Sequence, residues 1–258
     1  ISLGVQSLQD DKLIRLGRIH NSDNVYTTIE EIHKSKISNF NIDIMHGLPN
    51  QSIEDGLYDI SEAVKMNPTH LSWYQLTIEP NTLFAAKTPL LPNEDVLEQI
   101  EIRGKDIMKN AGYKQYEISA YAKDGKVSRH NTNYWFFGDY IGIGAGAHSK
   151  VTNLKTNEIK RTWKHKHPKI YTQADKLIHG TSIITNNDLI YEFMINALRI
   201  KNGFDQQTFE RHTFLNYSMI ENNVNLGVEK GLIILDGEQI KPTDKGYLFL
   251  NDCINLFV

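Results

Sequence analysis

Cysteine is almost absent from this sequence: Cys253 stands alone among 258 residues. A single thiol excludes an intramolecular disulfide, a CxxC pair and any cysteine-ligated metal or cluster site, and it suits a reducing compartment. Long apolar runs are lacking too. No stretch approaches the ~18 residues that span a bilayer, and no basic segment followed by an apolar one opens the chain, so a cytoplasmic protein without a transmembrane segment is expected. Charge of one sign is missing as well: 28 Lys and Arg face 31 Asp and Glu, a formal net charge of -3. That balance argues against a polyanion-binding surface spread over the whole protein. What is present, 40% hydrophobic and 23% charged residues, is enough for one large globular domain or two unequal ones.

The first half alternates short apolar runs with amphipathic helical stretches, the βαβ signature of a parallel sheet covered by helices. Strands are predicted at Ile1–Ser7, Asn39–Met45, His70–Ile78 and Tyr113–Ser119. Between them, Asn24–Lys36 carries Val25, Ile29 and Ile32 on one stripe, with Ser22 or Asp23 as its cap. Ile53–Met66 follows Ser52 and ends before Pro68, and a third helix runs from Asn93 to Ala111 with Gly112 at its end. Three or four parallel strands close no barrel, and Ile1–Ser7 carries an open edge, so further strands upstream and a chain that begins mid-domain are expected.

From Tyr121 to Ser149 the pattern is irregular and rich in glycine and aromatics, which reads as binding loops. From Asn186 a helix, two more helical stretches, a hairpin turning at Asp236-Gly237 and a last helix from Thr243 resemble a winged helix. A winged-helix nucleic-acid-binding protein is therefore one reading. Its opponent is charge, since residues 186–258 hold six Lys and Arg against ten Asp and Glu. The expected divisions are 1–119, 120–185 and 186–258.

Several runs carry chemistry: I-S-L-G-V-Q-S at residues 1–7, L-G-R-I-H at 16–20, N-I-D-I-M-H-G-L-P-N-Q at 41–51, L-S-W-Y-Q-L-T-I-E-P-N-T-L-F at 71–84, H-N-T-N-Y-W at 130–135 and G-I-G-A-G-A-H-S at 142–149. In this order they resemble the second half of the radical-SAM family that contains oxygen-independent coproporphyrinogen III oxidases (HemN) and haem chaperones of the HemW type. The resemblance implies an α/β fold, a partial radical-SAM (β/α) barrel followed by a small helical winged-helix-like domain. It implies S-adenosylmethionine and a [4Fe–4S] cluster held by a CxxxCxxC segment, which this sequence lacks and Cys253 cannot replace. On the family's layout about three βα units precede Ile1, and this chain alone is expected to be inactive.

Gln6, Arg18 and Asp43 match the family's S-adenosylmethionine positions. A nucleoside with ribose hydroxyls and a charged methionine end calls for carboxylate, amide and cationic groups converging at the carboxyl ends of parallel strands, and these three supply them. The alternative is an Asp43–Arg18 ion pair, with Gln6 satisfying a turn. Thr77 and His148 match further cofactor positions, but their side chains differ from the oxidase branch, which leaves them a main-chain role. His130, Asn131, Tyr134 and Trp135 belong to a signature associated with haem in the chaperone branch: His130 as axial ligand to the iron, Asn131 orienting the imidazole, and Tyr134, Trp135, Phe136 and Phe137 as flat apolar faces. The alternative is a core plug beside an interior histidine.

The glycine run 142–147 does not keep the spacing of a dinucleotide fingerprint. It reads as backbone approaching the adenosine or methionine end of the cofactor, or as a tight packing turn. The His165-Lys166-His167 run reads as solvated strand or loop in preference to a metal site, since alternating lysines repel a cation. Haem binding and delivery to haem-accepting proteins is the function implied. Oxidative decarboxylation of coproporphyrinogen III is the alternative within the family.

Overall fold

The computed structural model describes residues 1–258, which form two compact units, Ile1–Ser128 and Arg129–Val258. In the first, β1 (Ser2–Gln6) leads through α1 (Asp10–Arg15) and α2 (Ser22–Lys34) to β2 (Asn41–His46), then α3 (Ile53–Lys65) to β3 (His70–Gln75). A short α4 (Leu83–Ala86) and the long α5 (Glu94–Asn110) precede β4 (Lys114–Glu117) and β5 (Ala120–Ala122). One sheet results, in the order β1-β2-β3-β5-β4. The first three strands are parallel and β5 runs antiparallel to both β3 and β4. The sheet is open, with β1 at one edge and β4 at the other.

The fourth predicted strand is thus a correction. Tyr113–Ser119 does not extend the parallel set; the chain reverses after Glu117 and inserts β5 between β4 and β3. The β3 strand also stops at Gln75, three residues short of the predicted end. The helix caps follow local chemistry: Asn21, one residue before the predicted caps, accepts from the Asn24 amide, and Ser52 accepts from the Asp55 amide. Gly112 leaves α5 with φ +86, where only glycine is unstrained.

Strand alternation sets the two faces. Leu3, Val5, Ile42, Ile44, Leu71 and Trp73 pack under α2, α3 and α5 in one hydrophobic core. Gly104 on α5 is small because a Cβ there would sit 2.2 Å from the Trp73 ring. The opposite positions, Ser2, Gly4, Asn41, Asp43 and Met45, look away from that helix layer.

The second unit opens with α6 (Arg129–Trp135). The region expected as a connection, 120–185, then builds a three-stranded antiparallel sheet, in order, from β6 (His148–Asn153), β7 (Glu158–Lys164) and β8 (Ile178–Ile183), with α7 (Pro168–Gln173) before β8. Sequence missed it because these strands alternate polar with polar residues over much of their length. Next come α8 (Asn186–Ala197), β9 (Phe204–Asp205), α9 (Gln206–Thr213), α10 (Glu221–Glu229), the hairpin β10 (Ile233–Asp236) and β11 (Gln239–Pro242), and α11 (Asp244–Leu248) and α12 (Leu250–Ile254). That is the winged-helix order. Its core gathers Phe193, Phe204, Phe209 and Ile240, all essentially without solvent exposure. No helix is long and apolar enough to cross a membrane.

Candidate functional site

In the first unit, the sheet face turned away from the helices carries a continuous polar network. Asp43 is at its end. Its Oδ1 accepts from Asn41 Nδ2 at 2.7 Å and its Oδ2 from the Ser2 hydroxyl at 3.3 Å. Asn41 Nδ2 also donates to Ser2 Oγ, while Asn41 Oδ1 accepts from Ser72 Oγ at 3.1 Å and lies 2.7 Å from His70 Nδ1. On the far side of the imidazole, Nε2 is 2.8 Å from the Tyr116 hydroxyl, which accepts the Ser128 amide. One assignment satisfies every member: His70 donates from Nδ1 to Asn41 and accepts at Nε2 from Tyr116. Burial pushes the His70 imidazole down to about 4, so it is neutral and this tautomer holds at pH 7.

Gln6 ends β1 in the left-handed region, φ +70, where the β1–β2 register slips. Its amide nitrogen lies 2.9 Å from where a Cβ on Gly4 would be, and Gly4 is the register partner of Asp43. The missing side chain at Gly4 therefore leaves room for the Gln6 amide beside the Asp43 strand. Arg18 is exposed in the turn after α1 and forms no ion pair with Asp43, so the ion-pair alternative is not what the structure holds. Thr77 is exposed beyond β3, and its hydroxyl donates to Glu79.

The residues that follow Gln6 are held by Asp59 of α3. Its carboxylate, fully buried, accepts from the Ser7 hydroxyl and the Leu8 amide, both at 2.8 Å. The loss of water around it raises its pKa to about 6 despite those donors. Beside it, buried Lys12 of α1 reaches Asp55 at 3.0 Å and Asp11 at 3.3 Å. The loop that follows Gln6 and the helix α1 are thus each tied to α3. No sequence signal singled out Asp59, Lys12 or His70, although the alternation Asn41-Ile42-Asp43-Ile44 and His70-Leu71-Ser72-Trp73 already put Asn41, Asp43, His70 and Ser72 on one face.

In the second unit, α6 separates the aromatic signature into two roles. His130 and Tyr134, four residues apart, share a helix face, and their rings meet edge-on with centroids 4.9 Å apart. His130 is exposed, and Tyr134 continues to Tyr140 at 4.7 Å. Asn131 and Trp135 are half-buried on the adjacent face, where the Arg199 guanidinium lies 4.3 Å over the Trp135 ring. Phe137 is no ligand platform. It is 2% exposed, packs on Phe193 and carries buried Lys150 over its other side, so for this residue the core-plug reading holds. His148 opens β6, exposed, with its ring stacked 6.4 Å from Trp163.

The comparisons with known proteins agree with this layout. The family profile described as the HemN C-terminal domain matches residues 184–249, the winged-helix-like part. Proteins named heme chaperone HemW are similar over the whole chain: that of Haemophilus influenzae is 44% identical and that of Escherichia coli 42%, with the chain covering 67% and 68% of their lengths. The Bacillus subtilis protein of the same name is 31% identical. The chain belongs to the HemW haem chaperone family. Members of this radical-SAM family share their fold with E. coli coproporphyrinogen III oxidase (HemN), whose solved structure superposes with a TM-score of 0.78 over 99% of this chain at 18% identity. The chain spans 63% of that protein's length and about two thirds of the HemW relatives'.

Family membership brings with it S-adenosylmethionine, an iron–sulfur cluster and haem, and the residues present fit these unequally. The cluster finds no ligands, because Cys253 lies fully buried in α12 and burial pushes its thiol up to about 11. The adenosyl cofactor fits better. Asp43 keeps acceptor capacity beyond its two donors, and the Gln6 amide occupies the room that Gly4, the register partner of Asp43, leaves. Haem fits His130, an accessible imidazole backed by an aromatic ring.

Proposed function

We propose that this chain is the haem-holding portion of a radical-SAM haem chaperone, acting in the cytoplasm and passing haem to acceptor proteins. The observation that carries the reading is His130: an exposed imidazole on a short helix, flanked by Tyr134, in a chain related over its whole length to proteins named heme chaperones. An imidazole nitrogen is an axial ligand for haem iron, and the Tyr134 and Trp135 rings supply apolar contact without ligating it. Asn131 is assigned the orienting of the imidazole. The buried, unpaired Cys253 suits a reducing compartment.

The sheet face of the first unit is proposed as the S-adenosylmethionine side. Asp43, oriented by Asn41 and Ser2, accepts from ribose hydroxyls, and the Gln6 amide hydrogen-bonds beside it. Arg18, unpaired in its turn, is free to meet a carboxylate. Thr77 and His148 contribute main-chain groups. The oxidase reading is weaker, because the likeness to coproporphyrinogen III oxidase is one of fold at 18% identity.

Titrating hemin into the chain and following the Soret band tests the reading. His130→Ala is expected to lose the axial-ligand spectrum and weaken binding, whereas Tyr134→Ala weakens binding with the band shape retained. Variants are compared only where their circular dichroism matches the parent, since exposed apolar surface adsorbs haem non-specifically. Unchanged affinity and spectrum in His130→Ala would return α6 to a packing role.

A further inference from the structure

The ring ladder that starts at His130 ends at Tyr140, and the next residue, Ile141, forms the rim of a cavity of about 650 Å³ in the second unit. Ile141, Leu177 and Ile178 supply its apolar wall, and Lys164 and Lys176 stand on it as the only charged lining groups. The three apolar side chains are 77%, 45% and 50% exposed, an arrangement that leaves apolar surface in water unless something covers it. The floor is polar but satisfied: the Ser149 hydroxyl accepts the Gly142 amide at 2.9 Å. Gly142 has no room for a side chain, because a Cβ would meet the His148 carbonyl at 2.1 Å, so the glycine run closes the cavity with backbone alone.

Size, wall and charge together restrict the occupant. The volume lies inside the ~300–1,000 Å³ range of small-molecule sites. An exposed apolar wall asks for a ligand with a broad apolar face, and two cations without a carboxylate among the lining residues ask for acidic groups on the same molecule. We infer that this cavity binds the tetrapyrrole cargo, its macrocycle against Ile141, Leu177 and Ile178 and its propionates toward Lys164 and Lys176. The inference rests on the haem reading above but assigns a different element of the chain. It makes the cargo site a composite in which iron ligation at α6 and recognition of the carboxylates at the β7–β8 side are separable.

Iron-free protoporphyrin IX isolates this cavity, because nothing in it needs the His130 imidazole. Binding to the full 258-residue chain is followed by porphyrin fluorescence. The double variant Lys164→Gln/Lys176→Gln is expected to bind about five- to twenty-fold more weakly, the sum of two solvent-accessible ion pairs. Protoporphyrin dimethyl ester, which lacks the acids, should bind the parent and the double variant alike. Leu177→Asp, at an exposed position that the fold does not need, should weaken acid and ester together. If the double variant binds protoporphyrin IX as the parent does while hemin still depends on His130, the cavity assignment is wrong and the haem reading survives. If the parent takes up neither tetrapyrrole, the haem reading falls and the cavity with it. Displacement of the porphyrin by an equal concentration of oleate would overturn the assignment in favour of a fatty-acyl carboxylate site.

Discussion

Replacing Asp59 with Asn removes a charge from the interior without changing the shape of the side chain, and the consequence should depend on pH in one direction only. In the native protein the Asp59 carboxyl is buried under the loop that follows Gln6, accepting from Ser7 and Leu8, and its pKa is raised from 3.8 to about 6 by loss of hydration. At ~1.4 kcal/mol per pH unit, that rise amounts to about 3 kcal/mol. A folded pKa above the unfolded one means that the native state holds the proton more tightly. The stabilisation is complete below pH 3.8 and is lost as pH climbs through about 6. Asn cannot ionise, so Asp59→Asn lacks this term. It does lose one acceptor and leaves a donor unmatched, a constant cost of about 1–3 kcal/mol. The two buried histidines, His46 and His70, are both pushed from 6.5 down to about 4 and act oppositely, their stabilisation being lost as pH falls through that range. They are present in both proteins and cancel in the difference. Urea unfolding of parent and variant between about pH 4 and about pH 8 should therefore show the parent's advantage shrinking by about 3 kcal/mol as pH rises. An advantage that stays constant would refute the argument. One that grows with pH would mean that the Ser7 and Leu8 hydrogen bonds outweigh desolvation and hold the carboxyl below its ordinary value.

Three other outcomes follow from the same geometry. His70→Phe removes the hydrogen bonds to the Asn41 carbonyl oxygen and from the Tyr116 hydroxyl, leaving the Tyr116 O–H without an acceptor, and should destabilise the first unit by about 1–3 kcal/mol in urea unfolding, with unchanged stability counting against the network. Gly203→Ala places a Cβ 1.9 Å from the Ile240 carbonyl at φ +65; a loss of about 2–4 kcal/mol in the second unit's thermal unfolding is expected, and a silent substitution would show that this turn relaxes freely. Anaerobic reconstitution of this chain with iron and sulfide should give no [4Fe–4S] absorbance that survives desalting, because its one thiol is buried in α12; stoichiometric cluster would contradict that.

How much of this was legible in the sequence differs between the two units for a physical reason. Helices announce themselves locally: Ser52 before Ile53–Lys65, Asn93 before Glu94–Asn110 and Gly112 after it act through bonds a few residues long. The three parallel strands were equally plain, being short runs in which apolar residues alternate with others. The winged-helix order of residues 186–258 could be read from the same cues. Motif order placed His130, Asp43 and Gln6 in a family, yet it could not say which groups meet.

Tertiary structure alone decided the rest. Reversal of the chain after Glu117 depends on which strand β3 has free to pair, and the sheet at residues 148–183 depends on pairing across distant positions, since its strands carry no strong apolar alternation. The Asn41–His70–Tyr116 chain joins residues 29 and 46 positions apart through parallel register and a hairpin turned back beside it. Phe137 looks like its neighbours Tyr134 and Trp135 in sequence, but a left-handed backbone, φ +58, turns it into the core beside Phe193. Local residue chemistry specified α2, α3 and α5 of the first unit, its three parallel strands and the winged-helix order of 186–258. Register and burial, which act between residues far apart in the chain, determined which polar groups face one another and which aromatic rings remain open to a ligand.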